Sequence, residues 1–260
     1  MAGVTTSTSP SGIRLDFDGP LARITLDRPE VHNALEASDI ADFRAALDRC
    51  ELQSGVRVLV LTGRGDQTFS SGASLGQMQS GALTGDVFET LTNRLAEVRL
   101  PTVCALNGSV YGGGAEIALC CDFRIGVKGS RLSVPAAALG VCYPLGGLRR
   151  YVQRLGPTVA SRILLAAEEF SADEMFRVGF LTHLVDAGEL TGEADALAMR
   201  LASLAPLAVQ GMKRLLTQVA AGTIAPSEAA GIVTRCAESA DLIEGLKARK
   251  EGRPPVFEGR

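Results

Sequence analysis

The sequence predicts an α/β protein in which a core of stacked βα units is followed by a helical C-terminal region. Up to about residue 186, short apolar runs of β-forming residues alternate with glycine-rich loops and helical patterns, which is typical of βα units. After that point the strand signals stop, and helical patterns follow one another to Lys250. We therefore expect a flexible tail over residues 1–12, a core over 13–186 and a helical region over 187–260.

The first part of the core contains a hairpin and the first βα unit. Residues 13–18 and 21–27 alternate apolar and polar side chains around a Gly-Pro pair, a pattern that predicts two paired strands. An amphipathic helix is expected up to about Glu51. The apolar run VRVLVL over 56–61 is typical of a strand that is buried on both faces.

The stretch over residues 101–122, PTVCALNGSVYGGGAEIALCCD, contains the strongest chemical signal. An apolar strand over 102–106 and an Asn-Gly turn lead to three consecutive glycines and a helical run over 115–121. Because glycine lacks a Cβ and the first amides of a helix have no partner within it, this arrangement can hold a negatively charged oxygen. Glu116, near the helix start, is the candidate general acid or base. The competing interpretation is a carboxylate that only complements the helix dipole.

Shorter signals predict the remaining elements of the core. The loop over 62–78 is rich in Gly and Ser and follows a buried strand, as the three glycines do. The other elements are a helix over 86–98, a strand over 123–127, an irregular segment over 133–147, several helical pieces from 148 onward and a strand over 181–186.

Composition and charge argue against several classes of protein. Apolar residues make up 46% of the chain and charged residues 21%, as in ordinary globular proteins. The formal net charge of −3 argues against a nucleic-acid-binding protein. No apolar run approaches the roughly 20 residues that a bilayer requires, and the first residues lack a signal-peptide pattern. We expect a cytoplasmic protein without nucleic-acid or membrane partners.

The cysteines and histidines predict no metal site. The six cysteines form no CxxC pair, and the chain has only two histidines. Most cysteines lie in apolar runs, which predicts buried free thiols in a reducing compartment. A Rossmann interpretation of LTGRGD is weak, because the third glycine and a directly following helix are missing.

Four segments, in this order, resemble the crotonase superfamily, the enoyl-CoA hydratases and isomerases. They are DRPEVHNAL, LTGRGDQTFSSGASL, PTVCALNGSVYGGGAEIALCCDFRI and VGFLTHLV, and the similarity extends from about residue 13 to the C-terminus. The resemblance implies a crotonase-like spiral of ββα turns and a C-terminal helical region that makes trimers, often paired into hexamers. It also implies a coenzyme A thioester as the substrate, with no separate cofactor.

The resemblance assigns expected roles to individual residues. The backbone amides of Ala73 and Gly113 would bind the thioester oxygen, where preorganised donors are typically worth several kcal/mol against developing negative charge. Glu116 would act as acid or base. Residues expected to contact coenzyme A are Arg28, His32, Ala34, Leu35, Ser71, Ser74 and Leu75. The alternative for Arg28 is a solvated arginine, and the alternative for His32 is a surface histidine without a role.

Two positions depart from the family pattern. Hydratases carry a second glutamate after a proline, and the matching residue here is Ala136; the usual aspartate after the oxyanion alanine is replaced by Ser74. The segment LGVCYPLGG, with Tyr143, is similar to a loop of methylmalonyl-CoA decarboxylases in which a tyrosine lies at the site. The alternative is a half-buried tyrosine with a structural role.

These departures leave several functions open. The preferred one is a lyase of the enoyl-CoA hydratase type with one glutamate as acid and base. General acid–base groups contribute about 10² to 10⁴-fold each, so the loss of one slows hydration without abolishing enolate chemistry. The alternatives are a methylmalonyl-CoA-type decarboxylase, an enoyl-CoA isomerase that needs only one base, and a non-catalytic acyl-CoA-binding protein.

Overall fold

The computed structural model describes residues 12–260, which form an α/β structure. The strands are β1 (Ile13–Asp18), β2 (Leu21–Leu26), β3 (Val58–Gly63), β4 (Thr68–Ser70), β5 (Thr102–Leu106), β6 (Ser109–Tyr111), β7 (Phe123–Val127), β8 (Arg131–Ser133), β9 (Phe170–Ser171) and β10 (His183–Val185). The helices are α1 (Ala37–Leu52), α2 (Leu75–Ser80), α3 (Gly85–Ala96), α4 (Gly113–Cys120), α5 (Leu145–Leu164), α6 (Ala172–Arg177), α7 (Leu190–Ala202), α8 (Pro206–Ala221), α9 (Pro226–Ala237) and α10 (Ala240–Glu251).

A six-stranded sheet in the order β1-β2-β3-β5-β7-β10 forms the centre of the fold. β1 and β2 are antiparallel, which confirms the predicted hairpin, and all other neighbours in this sheet are parallel. Strands β5 and β7 have the predicted bounds. The predicted strand over 56–61 is shifted to Val58–Gly63, because Val56 still belongs to the turn after α1, where its amide donates to the Gln53 carbonyl.

A second sheet, in the order β4-β6-β8-β9, was not predicted from the sequence. Its strands have two or three residues each, which is too short for an alternating pattern. β4, β6 and β8 are parallel neighbours, and each follows one strand of the large sheet: β3, β5 and β7. Each turn of the chain therefore contributes one strand to each sheet.

Hydrophobic residues cover both faces of the large sheet. Alternate side chains of one strand point to opposite faces, so Leu59 and Leu61 belong to the main core with helices α1, α3, α4 and α5. Val58 and Val60 pack instead against α7, which covers the second face with small residues such as Ala194 and Ala198. The helical character after residue 187 is confirmed, and its first helix packs on the sheet.

The last three helices expose much of their apolar surface. No residue of α8 is buried in the described part of the chain. Leu216 is 71% exposed, and Ile243 and Leu246 on α10 are 68% and 64% exposed. Helix α5 is bent where Gly156, at φ 75°, precedes Pro157, in agreement with the predicted series of helical pieces.

The predicted tail lies outside the described residues, with one exception. Gly12 is ordered by two hydrogen bonds: its N–H donates to Asp39 Oδ1 at 2.9 Å, and its carbonyl accepts from the Asp27 amide at 2.7 Å. The described structure thus begins one residue earlier than the predicted core. None of the helices within residues 12–260 is both long and apolar enough to cross a membrane.

Candidate active site

Glycines allow two loops of the chain to touch at the candidate site. The loop after β4 lies against the first turn of α4, and a Cβ added to Gly72 would overlap the Gly113 amide nitrogen. A Cβ on Gly114 would overlap the Ser70 carbonyl in the same way. Gly72 also has φ +80°, a conformation that side chains strongly disfavour. Gly72 and Gly114 therefore serve close approach of one loop backbone to the other, whereas the sequence led us to expect close approach of a ligand.

The close approach brings two free backbone amides to one cavity. Gly113 is the first residue of α4 and follows Gly112 at φ +50°, so its amide has no acceptor within the helix. Ala73 forms a single bridge with Leu35 through the flanking Gly72 carbonyl and Ser74 amide. Among residues 12–260, no protein acceptor is found for either the Ala73 or the Gly113 amide. Both residues line the cavity.

The cavity has a volume of about 520 Å³ and a mostly apolar lining. It contains most of the residues singled out in the sequence. These are Ala34, Ser71, Ala73, Ser74, Leu75, Gly113, Glu116, Ala136 and Tyr143. Apolar residues such as Met78, Phe88, Leu139 and Val141 complete the wall, and no lysine or arginine of the described chain lines it.

Three of the expected coenzyme A residues lie outside this lining. Leu35 is buried in the core. His32 is exposed, and its Nδ1 is 2.9 Å from Thr68 Oγ1. Arg28 lies outside the cavity lining and its side chain is 22% exposed. It pairs with Glu36 at 3.2 Å and with the fully buried Asp39 at 3.3 Å, so a phosphate contact by Arg28 would compete with two carboxylates.

Asn33 is a structural residue that sequence reasoning missed. It is 1% exposed and has φ +51°. Its Oδ1 accepts from the Arg28 amide, and its Nδ2 donates to the carbonyls of Arg64 and Thr68, at 2.9 to 3.0 Å. Asn33 therefore ties the loop before α1 to the loop before β4, and so supports Ala34 and Ser71 at the cavity.

Glu116 projects from the first turns of α4 into the cavity and is 3% exposed. Its Oε1 accepts from Arg150 Nη1 on α5 at 2.6 Å. Arg150 also donates to Thr92 Oγ1 at 3.1 Å and to Asn93 Oδ1, both on α3. Burial raises the pKa of Glu116, and the charge of Arg150 and hydrogen bonds from Thr92 and Arg150 oppose that rise only in part. The group is thus more easily protonated than an ordinary glutamate.

Replacing Arg150 by Met is expected to raise the pKa of Glu116 further. The guanidinium favours the carboxylate, whereas burial and the charge of Glu89 on α3 favour the acid. Without Arg150 the protonated form therefore persists to higher pH. A ¹³C NMR titration of labelled glutamate carboxyls, assigned with Glu116→Gln, measures the shift. Arg149→Met, an exposed neighbour, is the control; an unchanged or lower Glu116 pKa in Arg150→Met would contradict the pairing.

Tyr143 lies beside Glu116 in the cavity. A Cβ on Gly147 would come within 2.8 Å of Tyr143 Cδ1 and 3.1 Å of Glu116 Oε2, so the glycine lets the two side chains share one space. The Tyr143 ring meets Tyr151 edge to face, with centroids 5.7 Å apart. Burial, and next the charge of Glu116, raise the pKa of Tyr143, so its hydroxyl stays protonated and can donate.

The structure adds Glu89 and Arg150 to the site, and sequence reasoning missed both. Glu89 lines the cavity from α3, and its Oε1 accepts from the Gly146 amide at 2.8 Å. The sequence contained one indication of a polar partner for α3. Thr92 lies on the buried face of this helix, together with Phe88, Leu91 and Leu95. A polar side chain on such a face usually has a buried partner.

Comparisons with known proteins identify the family and the fold of the chain. The enoyl-CoA hydratase/isomerase family profile matches residues 16–260. A crotonyl-CoA hydratase from Syntrophomonas wolfei is 32% identical over 94% of this chain and 97% of its own length. A carnitinyl-CoA dehydratase from Salmonella enteritidis is 29% identical over 95% and 98%. The crystal structure of an enoyl-CoA hydratase/carnithine racemase from Magnetospirillum magneticum superposes with a TM-score of 0.92 at 27% identity, covering 98% of this chain and 97% of that one.

The expected crotonase-like fold is confirmed by this structural similarity, which extends over nearly the whole of both chains. The recognition of the superfamily from four sequence segments is confirmed as well. The chain belongs to the enoyl-CoA hydratase/isomerase family.

Proposed function

We propose that the protein is a lyase of the enoyl-CoA hydratase type that acts on a coenzyme A thioester. The observation that carries this proposal is the position of Glu116. It is a buried carboxyl in an apolar cavity, three residues along the same helix from the unbonded Gly113 amide. An acid or base thus lies next to a site for an oxyanion.

In the proposed reaction the thioester oxygen accepts hydrogen bonds from the Ala73 and Gly113 amides. Negative charge develops on that oxygen when the α or β carbon reacts, and one such donor is worth roughly 3 to 4 kcal/mol in other enzymes. Glu116 moves a proton at the adjacent carbon. Its raised pKa suits a group that exchanges protons near neutral pH.

The remaining expected residues have secondary roles in the proposal. Ala34, Ser71, Ser74 and Leu75 lie at the cavity wall and would hold the thioester end of coenzyme A. His32 and Leu35 would act through the loop that carries Ala34. Arg28 is not assigned to a phosphate, because its ion pairs with Asp39 and Glu36 already occupy it. The exposed apolar side chains of α8 and α10 are consistent with a homotrimer or hexamer.

A methylmalonyl-CoA-type decarboxylase is the second candidate, and Tyr143 favours it. The tyrosine lies in the cavity beside Glu116 as a protonated donor. Charge argues against it, because the cavity already contains the carboxyl groups of Glu89 and Glu116 and no lysine or arginine of the described chain lines it. A substrate with its own carboxylate would add a further negative charge in an apolar space.

A side-by-side assay of purified protein with crotonyl-CoA and methylmalonyl-CoA tests the proposal. Loss of the enoyl absorbance measures hydration, and release of carbon dioxide measures decarboxylation. We expect hydration without carbon dioxide release. Carbon dioxide release alone would replace the proposal by the decarboxylase with Tyr143 at its centre. Binding of acyl-CoA without turnover of either substrate, or of a 3-enoyl-CoA, would support a binding protein.

A further inference from the structure

Two carboxyl groups reach the cavity from different helices. Glu116 enters from α4 and Glu89 from α3. Both are close to the start of α5: Gly146 is in contact with the Glu89 carboxylate, and the next residue, Gly147, is next to the Glu116 carboxyl. Consecutive Cα atoms are about 3.8 Å apart, so the two carboxyl groups lie near each other in the lining of one cavity. The charge of Glu89 is also felt at Glu116.

The surroundings of the two groups differ. Glu116 is 3% exposed, and Arg150 binds its Oε1. Glu89 is half-buried and, within residues 12–260, has no ion-pair partner. The Gly146 amide donates to its Oε1 at 2.8 Å, and within residues 12–260 its Oε2 has no hydrogen-bond partner. Carboxyl groups in unlike environments are suited to opposite acid and base roles.

Hydration of an enoyl thioester requires two proton movements at neighbouring atoms. A water molecule loses a proton as its oxygen attacks the β carbon, and the α carbon gains a proton. Glu116 serves one of these movements under the proposed function. Ala136, which also lines the cavity, has no group that serves the other. Tyr143 is held protonated by burial and is therefore a donor rather than a base.

We propose that Glu89 is the catalytic base that takes the proton from the attacking water, while Glu116 delivers a proton to the α carbon. This inference rests on the proposed hydratase function and assigns the second group of the same site. The water oxygen forms the new bond to the β carbon, and its proton passes to Glu89 Oε2. The electron pair of the double bond forms the enolate, whose oxygen the two amides hold, and the enolate then takes the proton of Glu116.

The reaction consumes one water molecule per enoyl group, and every proton is accounted for. After addition, Glu89 is protonated and Glu116 is ionised. Glu89 then releases its proton to solvent, to which it is partly open, and Glu116 regains one as the product leaves. The net change is the addition of H and OH across the double bond, with no oxidant or reductant involved.

Glu89→Gln separates the chemical role of Glu89 from its structural one. The amide oxygen of glutamine still accepts a hydrogen bond from the Gly146 amide, so the start of α5 keeps its contact with α3. The capacity to take a proton is lost, together with the negative charge that acts on Glu116; the isomerisation rate, which depends on Glu116, reports that second effect. Glu97→Gln, a change of an exposed residue at the end of the same helix, is the matched control for charge and for helix stability.

Two reactions of the variants are compared: hydration of crotonyl-CoA and isomerisation of a 3-enoyl-CoA in D₂O. Isomerisation moves one proton between carbons and requires only Glu116. We expect Glu89→Gln to lower hydration by about 10²-fold or more and to leave isomerisation within about threefold of the wild-type rate. We expect Glu116→Gln to lose both reactions, and Glu97→Gln to keep both.

Two results would overturn the role of Glu89. Wild-type hydration by Glu89→Gln would show that no proton passes through this residue. Equal loss of hydration and isomerisation would show that Glu89 only positions the start of α5. Failure of the wild-type protein to hydrate any enoyl-CoA would instead remove the proposed function itself, and this outcome is visible before any variant is made.

Discussion

Glu116→Gln is expected to lower turnover of an enoyl-CoA by about 10² to 10⁴-fold while the affinity for acyl-CoA is retained. The range is that of a lost general acid–base group. Glutamine has nearly the same shape, and its amide oxygen can still accept from Arg150, which binds the Glu116 carboxylate at 2.6 Å. Steady-state kinetics measure the rate, and calorimetry with a saturated acyl-CoA measures the affinity.

The chain offers a matched control for this variant. Glu193 is the fourth residue of α7, as Glu116 is the fourth residue of α4, but Glu193 is exposed and is not part of the cavity lining. Glu193→Gln tests whether a carboxylate near a helix start is needed only for the helix dipole, and we expect it to keep full activity. A fully active Glu116→Gln protein would remove the proposed mechanism.

Gly113→Val is expected to weaken acyl-CoA binding and lower the rate together, with a rate loss of about 10² to 10³-fold, as for a lost oxyanion donor. A Cβ at this position would lie 2.5 Å from Phe88 Cζ. Phe88 is 7% exposed, packs in the core and lines the cavity. Either its ring turns into the cavity and fills space that the ligand needs, or the start of α4 moves and displaces the Gly113 amide.

Gly192→Val controls for the addition of a branched side chain to a helix. Nothing lies within 4 Å of a Cβ at Gly192 on α7, and we expect affinity, rate and folding to be retained there. Circular dichroism shows whether Gly113→Val is folded, and calorimetry and kinetics then follow its function. Unchanged affinity and turnover in a folded Gly113→Val protein would show that the site lies elsewhere.

Local patterns predicted much of the large sheet and the position of Glu116. Strand β5 is a largely apolar run with clear ends, β7 is a short run interrupted only by Arg124 and Gly126, and three consecutive glycines mark the start of α4. These features depend on residues adjacent in sequence. The expected placement of Ala73, Gly113 and Glu116 around one space agrees with the lining of the cavity.

Features that depend on distant contacts were not predicted. Arg150 is 34 residues from Glu116, and Glu89 is 57 residues from Gly146. In the sequence each of them looks like an ordinary charge on an amphipathic helix. The ion pair of Arg28 with Asp39 was not predicted for the same reason, because Asp39 is a buried residue of a helix, where carboxylates are normally exposed. The strands of the small sheet were too short to show any period.

The small parallel sheet has a consequence for how the chemistry of this protein can change. The loops that carry Ala73, Gly113 and Ala136 leave the ends of β4, β6 and β8, which are successive neighbours in that sheet. Each successive turn of the chain thus contributes one loop to the same cavity. Ala136 makes no side-chain hydrogen bond, so its replacement leaves the hydrogen bonds of the neighbouring turns in place. Substitutions in one of these loops can therefore change the reaction, while the fold and the other loops stay the same.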